Sequence, residues 1–218
     1  MIVRRSGVPI GPDTDIVIEG FARTGNTFAV TAFLHAQPGE VRVAHHVHAP
    51  GPLIAAVHRG LPALALIREP EAAVLSFVIR LPHLSLRQAL RSYSRFYGPL
   101  VPYRRRIVVA DLREVTTDFG AVTRRVNRMF GTQFAEFVHS EPDVTRVLET
   151  IDESDRSSFG SGEQFERCRA RPSAWRDGLK ESLAVRYRAP ELRSLRHRAE
   201  GLYESLTRGY TKEKTDDQ

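Results

Sequence analysis

The sequence predicts an α/β fold in which a parallel sheet is flanked by helices. Three observations carry that prediction. Short apolar runs recur at Asp15–Gly20, Ala63–Ile67 and Ile107–Leu112, each of a length that suits a buried parallel strand. Segments of helical period separate them, which is the alternation expected of a parallel sheet. A glycine loop follows the first run directly, so strand one leads through a tight turn into a helix. The 218 residues suffice for one domain, expected over residues 1–210, with 211–218 (T-K-E-K-T-D-D-Q) as a flexible tail.

In order along the chain, Asp15–Gly20 is the first strand and Gly25–Ala36 the helix after the loop. Val41–His48 (V-R-V-A-H-H-V-H) has the β-rich content of a second strand, ended by the breakers Pro50 and Pro52. Leu53–Arg59 has helical spacing. Ala63–Ile67, bounded by Pro62 and Pro70, is a third strand. Helices are expected over Glu71–Arg80 and Leu84–Phe96, then a strand over Ile107–Leu112 and an amphipathic helix over Phe119–Phe130. Beyond Gly131 the apolar signal thins and the C-terminal part reads as more irregular. Residues 154–172 begin with S-D-R-S-S-F-G-S-G-E-Q and are expected to form a mobile loop, and a last helix is expected over Pro190–Tyr210. No internal repeat is visible.

Composition narrows the classes of function. Hydrophobic residues make up 41% and charged residues 27% of the chain, as in ordinary globular proteins. The single cysteine, Cys168, excludes an internal disulfide framework, and no run approaches the roughly 18 apolar residues of a membrane span. A cytoplasmic location is expected. Lys plus Arg number 32 against 26 Asp plus Glu, with arginine supplying nearly all the cations. That balance suits an anionic ligand without choosing among nucleic acid, acidic sugar and phosphorylated cofactor.

The loop G-F-A-R-T-G-N-T (Gly20–Thr27) refines the choice. Its glycines and Thr27 match the phosphate-binding pattern G-x-x-x-x-G-K-[ST], but Asn26 replaces the lysine and Arg23 supplies a cation three residues earlier. A strand–glycine loop–helix turns backbone N–H groups and the positive end of a helix toward an anion. Thr24 and Thr27 add hydroxyls, and Arg23 adds a planar fork for oxyanions. A kinase using ATP and magnesium is one reading, with Asp111 after I-V-V-A placed to hold the metal. The missing loop lysine argues for a ligand without a γ-phosphate.

Here the chain resembles the sulfotransferase family, which binds 3′-phosphoadenosine 5′-phosphosulfate (PAPS) on a P-loop NTPase-like three-layer fold. The family loop P-K-S-G-T-T-W is followed position by position by A-R-T-G-N-T-F (Ala22–Phe28). The resemblance implies that Arg23, Thr24, Gly25, Asn26, Thr27 and Phe28 contact the cofactor, with Arg23 also stabilising charge on the departing bridge oxygen. The family's 3′-phosphate site pairs an arginine at a strand end with a serine eight positions on. Arg68 and Ser76 stand so in I-R-E-P-E-A-A-V-L-S-F, a guanidinium and a hydroxyl suited to a phosphate.

In H-V-H-A-P the resemblance places His48 at the family's general base and His46 at the lysine of K-T-H-x-P; a histidine near neutral pKa suits that task. The basic segment Arg167–Leu179 resembles the family element that closes over the 3′-phosphate, with Arg169 or Arg171 reaching it. The resemblance implies PAPS as sulfuryl donor and a hydroxyl or amine of a small molecule, carbohydrate or lipid as acceptor. The acceptor pocket is expected within Leu81–Tyr103 and Thr132–Arg171.

No metal is expected. Strand alternation would send His45 and His46 to opposite faces, with no carboxylate or cysteine nearby. A third reading, a non-catalytic binder of nucleic acid, finds only S-Y-S-R-F-Y-G (Ser92–Gly98) as interleaved aromatics. That run suits a helix face packed on the sheet, and no nucleic-acid partner is expected.

Overall fold

The computed structural model describes residues 7–208 except 170 and 172; the expected tail lies outside the described residues. Four strands form the sheet: β1 (Ile16–Gly20), β2 (Val43–His45), β3 (Ala63–Ile67) and β4 (Val108–Asp111). All pair in parallel in the order β2-β1-β3-β4. An antiparallel bridge from Val8 to His45 extends the β2 side.

Every residue of β1 and β3 is buried, because both faces of the sheet are covered. Val17, Ala63, Ala65, Ile67 and Val109 pack into one core, while Ile16, Ile18, Leu64, Leu66, Val108 and Ala110 pack into a second. The first core is covered by α2 (Gly51–Arg59), α3 (Pro70–Arg80), α4 (Leu86–Tyr97) and α10 (Arg193–Thr207). The second is covered by α1 (Asn26–Ala36), α5 (Leu112–Thr117), α6 (Phe119–Phe130) and α7 (Glu141–Phe159). The period-two alternation of the strands thus divides the molecule into three layers.

The topology places the site. From β1 the chain goes first to β2 on one side and then to β3 on the other, so the connections leaving β1 and β3 diverge at the carboxyl edge of the sheet. A crevice at such a switch point is where ligands bind in open parallel sheets. The register puts Gly20 level with Leu66 and Ile67 level with Asp111. Hence the glycine loop, the turn after β2, Arg68 and Asp111 all leave the same edge.

Three expectations are corrected. The second strand stops at His45 instead of reaching His48, because His46 and His48 adopt φ of 58° and 54°, outside any strand conformation. Residues 154–159 are the end of α7, and 163–168 form α8 (Glu163–Cys168), in the segment expected to be a loop. Ser140 caps α7 through Asp143 N–H, and Val144, Val147 and Ile151 give it a core-facing stripe that outweighs the polar composition of its end. α9 (Ala174–Tyr187) was likewise not expected.

Candidate active site

Gly20 ends β1 because nothing larger fits there. A Cβ would lie 2.5 Å from Thr24 Oγ1 and 2.6 Å from the Leu66 carbonyl oxygen. The loop then turns through Arg23 at φ 75° and Gly25 at φ 92°. Buried hydrogen bonds hold this shape: Thr24 Oγ1 donates to Phe21 O at 2.7 Å, and Asn26 Nδ2 donates to Phe21 O at 3.0 Å and to Thr24 Oγ1 at 3.2 Å. Thr24 is fully buried and does not line the cavity, so its work is to brace the loop.

No side chain caps α1, and its first turn has no acidic residue. By contrast α3 and α5, which leave β3 and β4 at the same edge, are capped by Glu69 and Asp111. The N-terminus of α1 therefore presents its positive end to a cavity of about 380 Å³. Arg23, Arg68, Arg80, Arg171, Arg176 and Lys180 line that cavity, and among the described residues no carboxylate does. Gly25, Asn26, Thr27, Phe28, His48 and Ser76 also line it, so nearly all the residues singled out in the sequence converge here. Its apolar wall comes from Leu112, Leu148 and Ile151.

No family model matches the chain, and no curated protein matches it in sequence. Its structure superposes on mouse sulfotransferase SULT7A1 complexed with PAP with a TM-score of 0.51. The match covers 97% of this chain and 89% of that one at 10% sequence identity. The fold is sulfotransferase-like.

Within this sulfotransferase-like fold, Ser76 is the meeting point of two arginines. Its Oγ accepts from Arg23 Nε at 3.0 Å and from Arg176 Nη2 at 2.6 Å. With both acceptor positions filled, the hydroxyl hydrogen is left to donate. Arg176 is buried and also donates to Arg169 O at 2.9 Å. Burial, and then the like charge of Arg68, push the Arg176 guanidinium down from its ordinary pKa. Arg68 is lowered by burial and partly supported by Glu69 and Asp111. Its Nη1 donates to Arg23 O at 3.2 Å, and Tyr93 OH pins its own carbonyl at 2.8 Å. The aromatic run around Tyr93 thus packs on the sheet, as its spacing suggested.

The C-terminal arginines divide their labour differently from the sequence expectation. Arg169 does not line the cavity: its side chain pairs with Glu166 and lies over Phe165, and only its carbonyl joins the network. Arg171 lines the cavity but is bound to Asp152 Oδ2 at 2.7 Å. Arg176, not among the residues expected from the sequence, reaches Ser76. Arg23 is also more heavily engaged than expected, donating through Nη1 to Cys168 O and through Nη2 to Arg169 O as well as to Ser76.

His48 donates from Nδ1 to Gly20 O at 3.0 Å. A carbonyl only accepts, so the proton sits on Nδ1 and Nε2 carries the lone pair. Burial lowers its pKa, and Arg80 and Arg23 lower it further against the Gly20 bond. His46 Nε2 lies 3.3 Å from Thr27 Oγ1, and its Nδ1 lies 2.7 Å from His45 Nδ1. The two imidazoles touch because the turn at His46 breaks the alternation assumed from a continuous strand. Asp111 caps α5 through Arg113 N–H and accepts from Tyr203 OH at 3.0 Å. Both its oxygens are occupied, and it stands off the cavity lining. Of the expected acceptor segments, Thr132–Arg171 reaches the cavity through Leu148, Ile151 and Arg171, while Leu81–Tyr103 does not.

Proposed function

We propose that this protein is a sulfotransferase that moves a sulfuryl group from PAPS to a hydroxyl or amine of a small-molecule, carbohydrate or lipid acceptor. The observation that carries the reading is a cavity at the N-terminus of α1 that, among the described residues, is lined by six cations and no carboxylate. Such a lining, with Arg68 and Arg176 crowded together, is relieved by a polyanion with separated charges. PAPS fits that requirement at both ends, and it supplies the activated sulfuryl group when bound.

The backbone N–H groups at the start of α1, with Thr27, would hold the 5′ end. Arg68, Arg176 and the hydroxyl hydrogen of Ser76 would grip the 3′-phosphate and select it. Phe28, which packs edge-on to Phe137, would offer a ring to the adenine. Arg23 would oppose negative charge growing on the bridge oxygen electrostatically, since a guanidinium is too basic to give up its proton. His48 Nε2 would take the proton from the acceptor as it attacks sulfur, and the lowered pKa keeps that lone pair available.

A transferred sulfuryl group carries less charge than a phosphoryl group, so this chemistry needs no metal. Nothing in the occupied Asp111 favours the kinase reading. The test is transfer of labelled sulfate from PAPS to a panel of phenols, sugars and lipids with EDTA present. Transfer that persists in EDTA supports the reading; phosphoryl transfer from ATP that requires magnesium overturns it.

A further inference from the structure

Behind His48 lies a carboxylate that the proposed chemistry does not use. Glu19, the penultimate residue of β1, is fully buried inside a strand whose other side chains are apolar. Its Oε1 accepts from Gly20 N–H at 3.0 Å and its Oε2 accepts from Val47 N–H at 2.7 Å, with the His48 N–H also bonded to it. The two residues flanking Val47 both have positive φ, His46 at 58° and His48 at 54°. Neither is glycine, so each is held in a sparsely populated conformation that the surroundings must enforce. Consecutive backbone N–H groups turned inward in this way form an anion-binding concavity. The anion here is the protein's own.

We propose that Glu19 is a positioning residue that clamps the 46–48 turn and so fixes the His48 ring in its Nδ1–H tautomer, with Nε2 facing the cavity. The inference rests on the sulfotransferase reading for the meaning of that lone pair, though not for the clamp itself. The geometry gives the chain of cause. The carboxylate gathers the N–H groups of Val47 and His48, the turn closes, and the ring arrives 3.0 Å from Gly20 O and 3.7 Å from Glu19 Oε1. Beyond Gly20, whose N–H reaches Glu19, the loop has its own bracing, because Thr24 and Asn26 hold it through Phe21 O. Arg23 and Arg80 also face His48, the His46 ring lies edge-on to it, and Tyr97 lies near Glu19. None of these replaces a bond to the turn's backbone.

The experiment is ¹⁵N NMR of the imidazoles at pH 8 on the full chain, with His48 assigned by loss of its signals in His48→Asn. Calorimetry with 3′-phosphoadenosine 5′-phosphate accompanies it. The wild type should show His48 as the Nδ1–H tautomer. Glu19→Ala should shift it to the Nε2–H tautomer that free histidine prefers, with nucleotide affinity changed less than about 3-fold. Should that variant not fold, Glu19→Gln keeps one acceptor oxygen and should give a mixed tautomer population. A wild-type tautomer in every folded Glu19 variant overturns the proposal. So does loss of nucleotide binding together with the tautomer shift, because Glu19 would then be holding the whole loop. If the wild type binds no nucleotide, the sulfotransferase reading falls while the tautomer result still decides the clamp.

Discussion

Ser76 and Arg176 are a hundred residues apart in sequence and 2.6 Å apart in the structure, hydroxyl to guanidinium. This contact joins the helix after β3 to the C-terminal segment and brings the two into the lining of one cationic cavity. Arg23 completes it from the glycine loop. The three residues come from three separate parts of the chain and line one cavity.

Removing Arg176 should therefore weaken binding of 3′-phosphoadenosine 5′-phosphate by about 10- to 100-fold, the range of a charge-assisted hydrogen bond of about 1.5–3 kcal/mol. Ser76→Ala should cost less, and the double variant should cost less than the sum, because both lose the same contact. Calorimetry of the four proteins measures this coupling. Strict additivity would separate the two residues.

His48→Gln should lower turnover by about 10²–10⁴-fold and leave nucleotide affinity nearly unchanged. The pH dependence follows from the lowered His48 pKa. The base is active when neutral, so activity should persist below pH 6.5 and fall only at lower pH. A rate profile on any accepted hydroxyl substrate reads this directly, and an acid limb above pH 6.5 would contradict the account.

Stability should respond to pH through two buried groups of opposite sign. Burial raises Glu19 to about 7 from 4.5, so the folded state binds a proton that the unfolded state has released, and stability falls as pH rises through that window. Burial lowers His45 to about 4 from 6.5, so the unfolded state binds the proton and stability rises with pH. Each effect is worth about 3 kcal/mol, and between pH 4.5 and 6.5 the two oppose each other. The stability of Glu19→Gln should climb more steeply with pH across that range than that of the wild type. Urea unfolding at pH 5, 6, 7 and 8 measures the difference.

Gly20→Ala should destabilise the protein by about 3 kcal/mol. Its methyl group would meet the Leu66 backbone carbonyl at 2.6 Å, and a carbonyl inside the sheet cannot retreat. Gly39→Ala, where a Cβ meets nothing within 4 Å, should be tolerated. Thermal unfolding compares them.

Much of the fold was legible because its signals are local. β3 and α6 match their expected bounds residue for residue, since an apolar run between prolines and an amphipathic repeat need no tertiary context. Sequence failed where side-chain partners decide the backbone. The His46 turn breaks β2 because a buried carboxylate from β1 recruits its N–H groups, and nothing in V-R-V-A-H-H-V-H announces that. α7 does leave a trace in the sequence: Ser140 before Glu141-Pro142-Asp143, then apolar residues at 144, 147, 148 and 151. In the site, loop and strand-end residues were readable because their spacing is set by local geometry. Among the clustered C-terminal arginines only three-dimensional packing distinguishes Arg176, which is buried and reaches Ser76.

The most direct test is calorimetric titration of the purified protein with 3′-phosphoadenosine 5′-phosphate, beside 5′-AMP and beside ATP with magnesium. Tight binding is expected of the bisphosphate alone, weakened by at least 10-fold in Arg68→Ala, roughly the value of one charged contact. Equal affinity for 5′-AMP, or a preference for ATP with magnesium, would contradict it.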